Sequence, residues 1–77
     1  MFRVYILYSD ALRKYYVGQT KDLDRRIEEH NRGKTSFTAK GVPWKIIWSN
    51  EFDSRSEAMA MEKRIKSRGA GRFLSEQ

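Results

Sequence analysis

The chain contains no cysteine, a single proline and a single histidine among its 77 residues. Without thiols it has neither disulfide staples nor a thiolate zinc site, so the fold rests on packing alone. Long apolar runs are missing as well. The first run, Val4 to Tyr8, falls far short of the ~20 residues of a membrane span and lacks a signal peptide's cleavage region. A cytoplasmic protein with no membrane partner is therefore expected. Repeats, linkers and low-complexity segments are absent, and one small domain over residues 1–77 is expected. Acids are outnumbered, 10 against 16 Lys plus Arg, for a formal charge of +6. Such an excess suits a polyanion such as nucleic acid, with solubility alone as the plainer explanation.

What is present argues for a folded domain, with 39% hydrophobic residues. Residues 2–8 and 14–19 are rich in aromatic and β-branched types around the turn-like Ser9-Asp10-Ala11, which predicts an antiparallel hairpin. Alternation puts Val4, Ile6 and Tyr8 on one face and Tyr5 and Leu7 on the other, with Tyr15 and Val17 opposed to Tyr16 and Gly18. A turn centred between Asp10 and Ala11 places Tyr5 directly opposite Tyr16. Register decides this, because a slip of one residue sends the two tyrosines to different faces.

Asp22 to Arg32 reads as a helix, capped by Thr20 or Asp22 and stopped at Gly33, with Leu23 and Ile27 as its apolar stripe. At ~100° per residue, Arg26 lies about 60° from Leu23 and His30 about 20°, both on the buried-side flank. A polar loop from Gly33 to Pro43 carries one aromatic, Phe37, suited either to stacking on an unpaired base or to folding onto the core. Trp44 to Trp48 reads as a third strand with Trp44, Ile46 and Trp48 on one side. Ser54-Arg55-Ser56-Glu57 is a capping box that opens a helix with Ala58, Met61 and Ile65 as its stripe and Glu62 on the same broad face. Gly69-Ala70-Gly71 is expected to break that helix, leaving Arg72-Phe73-Leu74 as a closing turn or short helix.

Singly, the polar residues have ordinary readings. Tyr5 and Tyr16 suit any amphipathic strand, Arg26 can pair with Glu29 or Asp22, His30 can complement a helix C-terminus, and Glu62 can bridge to Lys66. Together, two phenols, a guanidinium, an imidazole and a carboxylate suit phosphate binding with proton transfer beside it. The spacing resembles that of the GIY-YIG nuclease superfamily, within it the small stand-alone single-domain bacterial proteins. Arg3-Val4-Tyr5 stands where Gly-Ile-Tyr is typical and Tyr16-Val17-Gly18 where Tyr-Ile-Gly is typical. Asp22-Leu23 through Arg26 to His30 resembles the family's first-helix motif, and Met61-Glu62 its glutamate-bearing helix.

The resemblance implies an α+β domain, a three-stranded antiparallel sheet flanked by helices, and a metal-dependent DNA endonuclease or nickase of little sequence specificity, acting in repair or recombination. It implies one divalent ion, Mg²⁺ or Mn²⁺, on Glu62, with Tyr5, Tyr16, Arg26 and His30 catalytic. A hard cation suits a carboxylate completed by waters and phosphate. Arg26 and a metal would favour phenolate, so Tyr5 or Tyr16 could activate the water while the other orients it or the phosphate, with Tyr5 the expected base, and the Arg26 fork can bind phosphate oxygens. His30 would orient a tyrosine or relay its proton.

Arg25, Arg32, Lys34, Lys40, Lys63, Arg64, Lys66, Arg68 and Arg72 are expected to contact phosphates of branched, single-stranded or duplex DNA. Two departures stand out. Arg3 replaces the first glycine, and no asparagine follows Glu62, where many nuclease members carry one. With no second DNA-binding domain, a protein partner would supply targeting. The alternative is a nucleic-acid-binding or partner-binding module that keeps the fold with weak or no nuclease activity.

Overall fold

The computed structural model describes residues 1–33 and 39–77. Among the described residues the elements run β1 (Phe2–Ser9), β2 (Lys14–Thr20), α1 (Leu23–Asn31), β3 (Trp44–Phe52), α2 (Arg55–Arg68) and α3 (Ala70–Ser75) along the chain. The sheet is antiparallel in the order β2-β1-β3. β1 takes the centre because Val4, Tyr5, Ile6 and Leu7 form a continuous apolar run, and all four are buried. Such a run suits a strand covered on both faces.

Alternation along β1 divides the interior in two. Val4 and Ile6 meet Ala58 and Ile65 of α2 and Phe73 of α3 on one face. Tyr5 and Leu7 meet Trp44 on the other, with Leu23 and Ile27 of α1 packed against them. Burying Ile65 completely contributes about 1.5–3 kcal/mol.

The hairpin register differs from the expected one by two residues. Tyr5 pairs with Gly18, and Tyr16 with Leu7. The loop is longer than Ser9-Asp10-Ala11, because the Arg13 amide donates to the Ser9 carbonyl at 2.7 Å and Arg13 itself adopts φ 54°. A slip of two preserves the faces, so Tyr5 and Tyr16 remain on the same side as diagonal neighbours.

β3 also departs from expectation, running on to Phe52 because Phe2, Arg3 and Val4 pair with Phe52, Glu51 and Asn50. A register shift between Ile6 and Leu7 pairs them with Trp48 and Ile46, leaving Ile47 as the extra residue of a bulge. Trp44 consequently joins Tyr5 and Leu7, whereas Trp48 packs at 5.2 Å on Phe73 across the sheet. The expected shared side for Trp44, Ile46 and Trp48 is thereby corrected.

Helix ends follow local chemistry. The Asp22 carboxylate accepts from the Arg25 amide at 3.1 Å, which selects Asp22 over Thr20 as the cap of α1. Ser54 caps α2 as its capping box predicts. The break after α2 is Gly69 alone, at φ 91°; Gly71 is helical, inside α3. Among the described residues no helix is long and apolar enough to cross a membrane.

Candidate active site

Gly18 explains how a buried tyrosine reaches the sheet's rim. β2 is an edge strand, and the Tyr5 ring leans over it so closely that a Cβ on Gly18 would come within 2.6 Å of the phenol oxygen. Tyr16, half-buried, stacks on Tyr5 with ring centres 6.4 Å apart and planes inclined by 22°. His30, only 1% exposed, presents Nε2 at 3.3 Å from the Tyr5 hydroxyl and its ring edge-on to Tyr16 at 4.7 Å. These three residues form one packed cluster on the α1 side of the sheet.

Arg26 is placed further from the core than its expected position on the buried-side flank of the helix. His30 lies close to the apolar stripe and is buried, whereas Arg26, further round the helix, stays exposed and sets a guanidinium nitrogen 3.7 Å from Glu29. Beside it is a shallow hollow lined by Thr20, Lys21, Asp22, Arg25, Arg26 and Glu29. Glu62 comes from α2, across the sheet, where it shares a second hollow with Gln19, Met59, Lys63 and Lys66. Its carboxylate accepts from Lys66 at 2.6 Å.

Electrostatics connect these groups. Burial, then the neighbouring Tyr16, push the Tyr5 phenol well above the ordinary tyrosine range; Arg26 pulls it back, and Glu62 and Glu29 push it further. Burial outweighs the arginine, so Tyr5 holds its proton. Burial and Arg26 both lower the His30 pKa while Glu29 opposes them, which favours a neutral imidazole. A neutral Nε2 can accept the Tyr5 O–H.

The expected phosphate contacts are scattered. Arg25 pairs with Glu29 at 3.6 Å, Arg32 with Glu28, Lys66 with Glu62, and Arg68 with Glu76 through both carboxylate oxygens. Lys40, Lys63, Arg64 and Arg72 are exposed. Lys34 and Phe37 lie outside the described residues. Arg3 pairs across the sheet with Glu51, which gives the residue in place of the first glycine a local partner.

Two contributors escaped the sequence reading. Gly18 entered it as part of a tripeptide, without the close approach that excludes a side chain there. Asn31 was not singled out at all. Its carboxamide accepts from the Trp44 amide at 2.6 Å and donates to the Trp44 carbonyl at 3.3 Å, tying the end of α1, next to His30, to the start of β3. Nothing in hydrophobic periodicity signals a polar side chain in that role.

Metal binding here turns on donor chemistry. Among the described residues no group of three or more His, Asp or Glu could hold an ion. A half-buried single carboxylate at Glu62 does fit a hard cation that retains waters and takes ligands from a phosphate.

Comparison with known proteins places this arrangement. The GIY-YIG catalytic domain family matches residues 1–71. A UPF0213 protein of the archaeon Halobacterium salinarum is 43% identical over 68 residues, 86% of each chain. Another, from Streptococcus pneumoniae, is 42% identical over 66 residues, 80% of this chain and 67% of its own. The solution NMR structure of a UPF0213 protein from Bacillus halodurans has a TM-score of 0.62 and 33% identity, covering 100% of this chain and 86% of that one. The α+β fold with its three-stranded antiparallel sheet and flanking helices is thus shared. GIY-YIG nucleases act on DNA and generally use divalent metals. With the family matched across residues 1–71, this chain belongs to the GIY-YIG family.

Proposed function

We propose that the chain hydrolyses phosphodiester bonds in DNA, with little sequence specificity and with one divalent ion, Mg²⁺ or Mn²⁺, bound at Glu62. The observation that carries this reading is the Tyr5 hydroxyl, 3.3 Å from His30 Nε2 and within the electrostatic reach of both Arg26 and Glu62. A bound divalent ion would supply charge neutralisation at the phosphate and leaving oxygen.

The chain's own residues carry the remaining roles. Arg26, exposed beside its hollow, offers a planar fork to phosphate oxygens and offsets charge that grows in the transition state. Tyr5 keeps its phenolic proton and hydrogen-bonds through it to Nε2 of the neutral His30, which fixes the ring. The base role accordingly passes to Tyr16, half-buried and edge-on to the imidazole, in contrast to the role expected for Tyr5.

The second reading, a nucleic-acid-binding or partner-binding module with weak or no activity, draws on the ion pairs. Glu62 is engaged by Lys66 and Arg26 faces Glu29, so both charges assigned to the chemistry have partners within the chain. Supercoiled plasmid with Mg²⁺ or Mn²⁺ separates the two, using the parent, Arg26→Ala and Glu62→Ala. Metal-dependent nicking by the parent, with each variant slower by about 100-fold or more, supports hydrolysis. Equal nicking by all three sinks it. DNA binding without nicking by the parent supports the module. A place in DNA repair or recombination, and a partner that supplies targeting, belong to the first reading and are approached by comparing branched with linear DNA.

A further inference from the structure

The face of β2 turned towards α2 carries Tyr15, Val17 and Gln19 at alternate positions, paired with Tyr8, Ile6 and Val4. Val17 packs into the core, while the residues on either side of it meet the surface in two different settings. Gln19 lines the hollow that contains Glu62 and Lys66. Four residues away, Tyr15 sits where α3 passes over the strand. Its ring lies 5.0 Å from that of Tyr8, and a Cβ on Gly71 would come within 3.4 Å of it. Held by a cross-strand aromatic and by a helix position with no side chain, Tyr15 is nevertheless 42% exposed.

We propose that Tyr15 is a stacking platform for an unpaired nucleobase of the strand being cut, an inference that rests on the nucleolytic reading above. Four strand residues at ~3.3 Å each put Tyr15 about 13 Å from Gln19. That distance spans about four nucleotides of stacked strand at ~3.4 Å each, and fewer when the strand is extended. Cations suited to a phosphate backbone lie at both ends. Lys63 and Lys66 line the Glu62 hollow at one end, and at the other exposed Arg72 follows Gly71, the residue against the Tyr15 ring. An exposed aromatic combined with cations that can take phosphates is the pairing that holds single strands without reading their sequence. Duplex DNA keeps its bases paired and offers nothing to stack, so the favoured substrate has an unpaired segment a few nucleotides from the cleaved bond.

The competing role for Tyr15 is purely structural, a cross-strand partner of Tyr8 that stabilises the hairpin. Tyr15→Leu retains apolar bulk without an aromatic face, and Tyr15→Trp retains the face. Anisotropy titrations of labelled oligonucleotides in EDTA measure binding without cleavage, and urea midpoints check folding. For single-stranded oligothymidylate, affinity should fall about tenfold or more in Tyr15→Leu and persist in Tyr15→Trp, with duplex affinity unchanged. The parent alone gives a second readout, since an oligonucleotide of abasic residues should bind correspondingly more weakly than oligothymidylate. Equal loss on single strands and duplex, or equal affinity for abasic and normal oligonucleotides, overturns the platform. Plasmid nicking scored in parallel keeps the two ideas apart. Nicking without Tyr15-dependent binding overturns stacking alone, and Tyr15-dependent binding without nicking supports stacking while the nuclease reading falls.

Discussion

The phenol oxygen of Tyr5 occupies the space that a side chain on Gly18 would need, 2.6 Å from the missing Cβ. Gly18→Ala should therefore push the Tyr5 ring away from His30. Because that ring is only 2% exposed, the shift disturbs packed neighbours and should cost about 1–3 kcal/mol in urea unfolding. The cost should shrink when Tyr5 is also replaced by Phe, so the double mutant should be more stable than additivity predicts. Additive effects would show that the ring carbon Cζ, 2.8 Å from the same Cβ position, and not the hydroxyl sets the clearance.

Acid should weaken the fold through His30. Its folded pKa is lowered, by burial first and then by Arg26, so below about pH 6.5 the unfolded chain binds a proton that the native chain resists. The contribution is intact above the unfolded pKa and is lost as pH falls towards the folded one, with a slope of at most ~1.4 kcal/mol per pH unit. Glu29 works against the shift, and Tyr5 supplies the hydrogen-bonded hydroxyl. Denaturant midpoints between pH 7 and 5 should fall faster for the parent than for His30→Gln. Parallel profiles would refute the assignment.

Tyr5 should act at the opposite end of the scale. Burial raises its folded pKa above the ordinary value of about 10, so the unfolded state is the first to lose that proton. Stability is complete below pH 10 and is lost as pH climbs towards the folded pKa. In an alkaline absorbance titration the native protein should retain a late phenol that ionises with unfolding. Tyr5→Phe should remove that late component.

Asn31→Ala should release the start of β3. It removes both side-chain bonds to the Trp44 backbone, at a cost of about 1–3 kcal/mol in total and nearer the lower end because water can reach the freed groups. Amide exchange should report the change locally, as faster exchange at Trp44. Unchanged protection there would remove Asn31 from the account of how α1 and His30 are held.

Much of this architecture was legible from residue types. Alternation assigned Tyr5 and Tyr16 to one face, the Ser54 capping box marked the start of α2, and the stripe of α1 anticipated that His30 is buried. Register was less accessible, because Arg13 adopts a positive φ that its side chain does not advertise. The bulge at Ile47 was hidden for a related reason, since Ile46-Ile47-Trp48 is apolar throughout and gives no sign of where alternation breaks. Site electrostatics were the least visible from sequence. The tyrosine expected to ionise beside Arg26 lies where desolvation outweighs the guanidinium, and burial is a property of the packed chain.

The bulge gives the protein two optical reporters. In an unbroken strand, tryptophans four residues apart would look out from one side and register the same events. Here Trp44 emits from among Tyr5, Tyr16 and Leu7, while Trp48 emits from against Phe73. Replacing either tryptophan with phenylalanine leaves a fluorophore that views one side of the sheet, so loosening of α1 and detachment of the C-terminal helices can be timed separately.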